Sequence, residues 1–243
     1  MITAKSHYFF ASLYGLHGFL VAVVLAWGVM AQWDFFYGVW HDHGGIKQGI
    51  EEFGPKNRYK PGFHDTTKAQ REEVFHLINV AVHRQGEGLA DIRYQSPTSR
   101  GEQVLLRPPE VVHLQDVANL ISVLAWPAVC LVLFWPGVII LYLRRKGGVP
   151  KLSHQLIGLV ALVLCLGVIL IVVGPETVFN TLHIWIFPDE HQWFFYYQES
   201  LMSTMMYAPR LFAWIAGAWG ILAVVIFFLL SSGLALAAKR MCR

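Results

Sequence analysis

The chain has 243 residues, of which 55% are hydrophobic and only 14% are charged, whereas soluble globular domains carry about 25% charged residues. Because the apolar residues also fall in long blocks, the composition excludes an ordinary soluble domain and indicates an integral membrane protein. The net charge is only +3, and the basic residues form no patch on a soluble face, which argues against nucleic-acid binding. The three cysteines are too few for a disulfide framework or a cysteine-rich metal site.

Four apolar blocks are long enough to cross a bilayer, since a spanning helix needs about 20 mostly apolar residues. The sequence predicts transmembrane helices over residues 8–31, 117–143, 152–173 and 211–238. The first block exceeds the apolar stretch of about 7–15 residues in a cleaved signal peptide, so we interpret it as an uncleaved anchor. The four spans predict a mainly α integral membrane fold.

The distribution of charge predicts the orientation of these spans, because cytoplasmic flanks carry an excess of Lys and Arg. The pieces 1–7, 144–151 and 239–243 hold basic residues and no acidic residue. All 16 Asp and Glu residues lie in the other two connections. We therefore expect both termini to be cytoplasmic and residues 32–116 and 174–210 to be extracytoplasmic.

The larger external segment, residues 32–116, is predicted to form a small α+β domain. Its first part, residues 33–64, is rich in glycine, aromatic and charged residues and is interpreted as a loop. Thr66 or Thr67 can then cap a helix whose apolar stripe extends to about His83.

The second half of this domain predicts a hairpin followed by a helix start. The strands are expected over Leu89–Gln95 and Gln103–Arg107, on either side of a turn that contains Pro97. Proline and an acidic residue are typical of a helix start. Pro108 and Glu110 therefore predict a helix that continues into the second span.

The shorter external segment, residues 174–210, is unusually aromatic and is expected to form one or more interfacial or re-entrant helices. Arg210 begins the fourth span at its external end, against the positive-inside trend. Its charge needs a partner, for which the candidates are a carboxylate such as Glu199, a phospholipid phosphate or an oxyanion.

Two histidines could carry chemistry. Glu110, His113 and Asp116 are spaced three residues apart, so neighbouring members share one helix face. A carboxylate beside a histidine fixes its tautomer and raises its basicity, although a surface charge cluster at a helix start would give the same pattern. His183 lies among aromatic residues, where it is either a hydrogen-bonded interface residue or a functional group at membrane depth.

The sequence also leaves two other kinds of site as alternatives. His41 and His43 flank Asp42 and could bind a transition metal, although His41 is more simply a solvated loop residue. Three methionines could add soft copper ligands or merely pack: Met202, Met205 and Met206. Ser200 has no supporting hydrolase motif.

The segments around both histidines resemble the bacterial lipoprotein intramolecular transacylase (Lit) family. Residues 110–117 match its acidic-x-x-His-x-x-Asp-Val element. Residues 182–187 resemble its His-x-x-Phe-Phe element, with Ile186-Phe187 in place of the phenylalanine pair, and Trp193 follows. Residues 209–212 match Pro-x-x-Phe. The resemblance implies four spans with an external domain after the first, in the bacterial cytoplasmic (inner) membrane with the active site on its outer side.

The resemblance also implies a reaction. The sn-2 acyl chain of a diacylglyceryl-cysteine lipoprotein would move to the cysteine α-amine, which gives an N-acyl, S-monoacylglyceryl (lyso) lipoprotein. His113 is expected to be the general base and His183 the second catalytic group, although these roles could be exchanged. Glu110 and Asp116 would orient His113. The position of Arg210 at the external end of the fourth span, and not the resemblance, predicts that it binds an oxyanion or a lipid.

Because donor and acceptor belong to one molecule, this interpretation requires no catalytic serine or cysteine. It also expects no cofactor and no metal. Its partners would be a diacylated lipoprotein substrate and membrane lipid. The alternative is a non-enzymatic membrane accessory protein that binds a partner or copper on the extracytoplasmic side through His41, His43 and the methionines.

Overall fold

The computed structural model describes residues 4–98, 101–144 and 148–241, and side chains from residue 8 to residue 240 within these ranges. Residues 99–100 of the predicted turn lie outside the described residues, as do three of the basic residues that predict the orientation: Arg145, Lys146 and Arg243.

Nine α-helices and one two-stranded sheet make up the regular structure of the described residues. The helices are α1 Ala4–Gln32, α2 Tyr37–His43, α3 Ile46–Phe53, α4 Lys68–His83, α5 Pro108–Leu143, α6 Leu152–Val173, α7 Pro175–Ile186, α8 Leu201–Met206 and α9 Arg210–Met241. The strands are β1 Arg93–Tyr94 and β2 Gln103–Val104. Four of these helices are long and apolar enough to cross a membrane: α1, α5, α6 and α9.

The chain divides into two compact units. One unit comprises the described residues within Met1–Val29, Ala125–Leu182 and Trp219–Arg243 and holds most of the four long helices. The other comprises the described residues within Met30–Leu124 and His183–Ala218. The two histidines that the sequence singles out for catalysis, His113 and His183, belong to the second unit, which we call the site unit.

Close helix contacts hold the first unit together. A Cβ on Gly15 would lie 2.6 Å from the Gln155 carbonyl oxygen, and one on Gly18 would lie 2.9 Å from the Trp135 ring. Glycine therefore permits the backbones to approach, as in other membrane bundles. Much of the outer surface is apolar, and Ile171 on α6 is 85% exposed, which suits contact with lipid chains.

The site unit is more helical than the sequence predicts. The predicted loop over residues 33–64 instead contains α2, α3 and short 3₁₀ turns. These helices form because they bury apolar side chains that have no long periodic pattern, among them Ile46, Ile50 and Phe63. Sequence reasoning was wrong here because tertiary burial, and not local propensity, stabilises such short helices.

The other local predictions of the site unit are confirmed in outline. Thr67 caps α4 through a capping box, in which its side chain accepts from the Gln70 backbone while the Gln70 side chain accepts from the Thr67 backbone. The two strands pair antiparallel as predicted, with Arg93 opposite Val104, but each covers only two residues. Helix α5 begins at Pro108 and continues into the predicted second span.

Candidate active site

The first turn of α5 positions the candidate site. The backbone N–H groups of Glu110 and Val111 donate to the Arg107 carbonyl, and the Glu110 carboxylate accepts from the Arg107 backbone N–H at 2.7 Å. An acidic side chain that reaches back to the residue before the helix satisfies a donor that the helix leaves open. This local chemistry fixes where α5 begins, and hence where His113 lies one turn later.

Glu110 also connects α5 to α8. Its carboxylate is fully buried, and its Oε1 accepts from the Ser200 hydroxyl at 2.5 Å and from the Met202 backbone N–H at 3.1 Å. A buried carboxylate is tolerated only when donors replace its water. None of the hydrogen bonds among the described residues joins Glu110 to His113, so its carboxylate holds the scaffold around that histidine.

His113 lies one turn after Glu110, half-buried in an aromatic pocket. Its ring centroid is 5.1 Å from that of Phe187 and 6.0 Å from that of Phe195. Its Nδ1 atom is buried and has no hydrogen-bond partner among the described residues. Buried polar atoms are normally satisfied, so this unsatisfied nitrogen marks His113 as a candidate functional group.

His183, near the end of α7, packs against the same phenyl ring. Its ring centroid is 5.3 Å from that of Phe187 and 4.8 Å from that of Trp193. Two histidines 70 positions apart in the sequence are thus brought to one aromatic pocket, as the sequence hypothesis requires. The pocket walls are Phe187, Trp193 and Phe195.

Asp116 has a partner that sequence reasoning missed. His191 Nδ1 donates to Asp116 Oδ2 at 2.7 Å, which joins α5 to the segment between α7 and α8. A carboxylate can only accept, so this bond fixes the tautomer of a neutral His191 with its proton on Nδ1. No periodic signal marks His191, since residues 187–200 form neither an α-helix nor a strand. Only the fold reveals the pair.

Arg210 contacts residues other than the aromatic rings around His113 and His183. Its guanidinium carbon is 4.5 Å from the centroid of the Tyr207 ring, and the side chain lines a cavity formed with the loop between α2 and α3. Glu199, the carboxylate that the sequence offered as a partner, lies 4.0 Å from Arg58 instead. The lining of this cavity includes neither His113 nor His183.

The alternative sites are less well supported by the geometry. His41 is buried, so the expectation that it is a solvated loop residue is wrong. Its Nδ1 donates to Asp42 at 2.8 Å and its Nε2 accepts from Arg71 at 3.2 Å, which occupies both nitrogens. Ser200 donates to Glu110 and accepts from the Ser203 backbone N–H, so its hydroxyl serves the fold.

The comparisons with known proteins agree on one family. A family model described as lipoprotein intramolecular transacylase Lit matches residues 64–208, a range that includes His113, His183 and His191. Among solved structures, the chain is similar to the membrane integral lipoprotein intramolecular transacylase Lit from Bacillus cereus, which carries one histidine-to-arginine substitution. The two are 15% identical with a TM-score of 0.61, over 96% of this chain and 95% of that one. No curated protein matches the chain.

Proposed function

This chain belongs to the lipoprotein intramolecular transacylase family, and we propose that it transfers an acyl chain within a lipoprotein, from the sn-2 oxygen of the glyceryl group to the cysteine α-amine. The observation that carries the proposal is the buried, unpartnered Nδ1 of His113 in a pocket whose Phe187 ring also contacts His183. Both histidines lie within the part of the chain that the family model matches.

The reaction needs a proton acceptor and a proton donor. The α-amine nitrogen attacks the sn-2 ester carbonyl to form a tetrahedral intermediate and loses a proton. Collapse of that intermediate breaks the bond to the glycerol oxygen, which takes up a proton and becomes a hydroxyl group. The product has an N-acyl cysteine and one remaining ester, and no atom is gained or lost overall.

His113 is assigned the role of general base. An α-amine has a pKa of about 7.7–8.0, so a modest base completes its deprotonation. The Nδ1 atom of a neutral imidazole supplies that base when the proton is on Nε2. Since Nδ1 engages no protein group among the described residues, the substrate amine can donate to it without displacing an existing bond.

His183 is assigned the second role, as donor to the oxyanion or to the leaving glycerol oxygen. Preorganised donors at a developing oxyanion are commonly worth about 10²–10³ in rate. The intramolecular reaction needs little further rate enhancement, because well-oriented groups in one molecule reach effective molarities of about 10⁵–10⁸ M. A nucleophilic serine or cysteine is therefore not required, which agrees with the structural engagement of Ser200.

The remaining polar groups are assigned positioning roles. The bond between Asp116 and His191 would hold the segment that carries Trp193 and Phe195 against α5. Glu110 would hold α8 at the same end of α5. The aromatic pocket would exclude water from the intermediate, because water would otherwise compete with the amine for the acyl group.

The proposed site faces the extracytoplasmic side of the bacterial cytoplasmic membrane, with both chain termini in the cytoplasm. The absence of acidic residues from pieces 1–7, 144–151 and 239–243 supports this orientation. It would expose the site to the outer leaflet, from which a diacylated lipoprotein could enter.

Mass spectrometry of a model lipoprotein's N-terminal peptide tests the proposal. Cells or vesicles that contain the chain should convert the diacylglyceryl peptide into the N-acyl, S-monoacylglyceryl form. Replacement of His113 or His183 by Ala should abolish the conversion while each variant still inserts and purifies. The double variant should be no worse than either single variant, because groups that act as one unit are strongly non-additive.

Replacement of each histidine by glutamine distinguishes the general base from the hydrogen-bond donor. His113→Gln removes the base but keeps hydrogen bonding, so it should be nearly as inactive as Ala. His183→Gln can still donate to an oxyanion, so partial activity should survive. The reverse asymmetry would exchange the roles, and full activity in either Ala variant would exclude that histidine from the chemistry. His76→Gln on α4 is a suitable control, because that exposed histidine contacts Asp34 and lies outside the pocket.

A further inference from the structure

An open cavity of about 580 Å³ in the site unit is not used by the proposed reaction. It lies where the loop between α2 and α3 meets the first turn of α9, and the side chains of His43, Gln48, Arg210 and Trp214 contribute to its lining. Because α9 is one of the four candidate membrane spans, the cavity lies at the end of a span.

Arg210 is the cation of this cavity that lacks a carboxylate partner. The ion pairs of the described residues leave it out: Glu199 faces Arg58, and Asp42, the acid in the cavity, contacts Lys68 at 2.5 Å. That contact with Lys68 lowers the pKa of Asp42 to about 2 and offsets its negative charge. A guanidinium at the end of a span thus remains exposed and available to an anion.

The surroundings hold this guanidinium in place. The Arg210 side chain lies over the Tyr207 ring, and that ring packs directly on Gly49 of α3, where a Cβ would lie 2.6 Å from it. Gly45 also allows a close approach, since a Cβ there would lie 2.8 Å from Nη1 of Arg210 and the residue has a φ of 84°. The Tyr207 ring and the backbone at Gly45 therefore restrict where the guanidinium can point.

Two tryptophans place this cavity among residues typical of a membrane interface. Trp214 stacks on Trp40 with ring centroids 5.3 Å apart and planes within 9°, and its indole N–H donates to the Gly44 carbonyl at 3.2 Å. Tryptophan collects at the level of lipid headgroups. The anions at that level of a membrane include the phosphates of phospholipids.

We propose that the cavity around Arg210 binds the phosphodiester headgroup of a membrane phospholipid, separately from the lipoprotein that the histidines would act on. The planar fork of arginine matches two phosphate oxygens at once. The diacylglyceryl group of the proposed substrate carries no phosphate, so this lipid is an additional ligand. Its function is to hold the loop between α2 and α3 and the start of α9 at the headgroup layer.

Binding of a short-chain phosphatidylglycerol to the purified full chain in non-ionic detergent tests this site without any turnover. The matched probe is diacylglycerol with the same acyl chains, which lacks the phosphate. Arg210→Gln should weaken phosphatidylglycerol binding by about tenfold, the loss of one hydrogen-bonded charge contact. Arg210→Lys keeps the charge and loses the fork, so it should give an intermediate affinity.

The control is Arg58→Gln, which removes another exposed guanidinium from the same unit and should leave the affinity unchanged. Diacylglycerol should bind all four proteins equally. Equal phosphatidylglycerol binding by the parent and the Gln variant would overturn the site, and the Lys variant decides the matter if the Gln variant does not fold. Displacement of the lipid by millimolar inorganic phosphate would show that the cavity takes free phosphate, which would overturn the lipid assignment. Because acyl transfer is not measured, each result is independent of the proposed reaction.

Discussion

Replacement of Glu110 separates a residue that holds the site from one that reacts. Its carboxylate is fully buried and accepts three hydrogen bonds, two at Oε1 from Ser200 and Met202 and one at Oε2 from the Arg107 backbone. Hydrogen bonds to a charged group contribute about 1.5 kcal/mol or more each. Glu110→Ala therefore removes about 4.5 kcal/mol or more, a large part of a typical stability of about 5–15 kcal/mol.

Glu110→Gln should cost much less, because the geometry divides the bonds between the two oxygens. An amide oxygen in the place of Oε1 still accepts from Ser200 and Met202, whereas the amide nitrogen cannot accept from Arg107. The loss is then one charge-assisted bond together with the 3.7 Å ion pair between Oε2 and Arg107 Nε, or at least about 1.5 kcal/mol. At about 2–4 °C per kcal/mol for a chain of this size, the apparent midpoint should fall by about 9–18 °C for Ala and by at least about 3–6 °C for Gln.

Thermal unfolding in detergent, monitored by tryptophan fluorescence, measures the midpoints of the parent and of both variants. Acyl transfer at a temperature below both midpoints should persist in Glu110→Gln, because two of the three bonds remain. Glu199→Gln is the control, since its half-exposed carboxylate faces Arg58 at 4.0 Å and such pairs contribute about 0–1 kcal/mol. An Ala variant as stable as the parent would refute the buried network. A folded Gln variant without any activity would refute the positioning role and make Glu110 part of the chemistry.

Three further predictions concern other parts of the chain. Asp116→Ala and His191→Ala should each lower acyl transfer by about tenfold, and together by no more, because they remove the same hydrogen bond. In a cysteine-free parent, a cysteine at Glu102 should react with an impermeant thiol reagent and one at Lys151 should not, as the charge distribution requires. Gly15→Ala should lower thermal stability by about 1–3 kcal/mol, because its Cβ meets a backbone carbonyl at 2.6 Å.

Each of these predictions has a result that contradicts it. Additive losses at Asp116 and His191 would mean that they act separately. Labelling at position 151 and protection at position 102 would reverse the orientation and remove the site from the outer leaflet. For the glycine, Gly137→Ala is the matched control, since a Cβ there has no neighbour within 4 Å; equal effects at both positions would show that Gly15 does not mediate close packing.

The sequence predicts best what depends on local composition. The long apolar blocks and the residues at helix starts are properties of a few consecutive positions, so the four long apolar helices and the starts of α4 and α5 are recovered. The shared pocket of His113 and His183 was expected from a family pattern, and the structure brings both rings to Phe187. Their catalytic roles stay a prediction.

Contacts across long sequence separations could not be predicted in the same way. His191 meets Asp116 over 75 positions, and the rival partner at i−3, His113, is the one that helical spacing favours. His41 is buried because Arg71 and Asp42 satisfy both of its nitrogens, a condition that no local pattern reveals. In both cases the fold supplies a hydrogen-bond partner that offsets the cost of removing a polar ring from water.

Helix α5 continues from Pro108 to Leu143, so a single element carries both His113 and the second span. His113 and Leu143 are 30 positions apart, which corresponds to about 45 Å of helix. A bilayer with its headgroups is about 40–45 Å thick. A helix of that length would reach across a bilayer. Under the proposed orientation, His113 near the start of α5 would then lie close to the outer headgroup layer and its glycerol esters, and hydrophobic mismatch in a thinner bilayer would raise the imidazole away from the ester bonds.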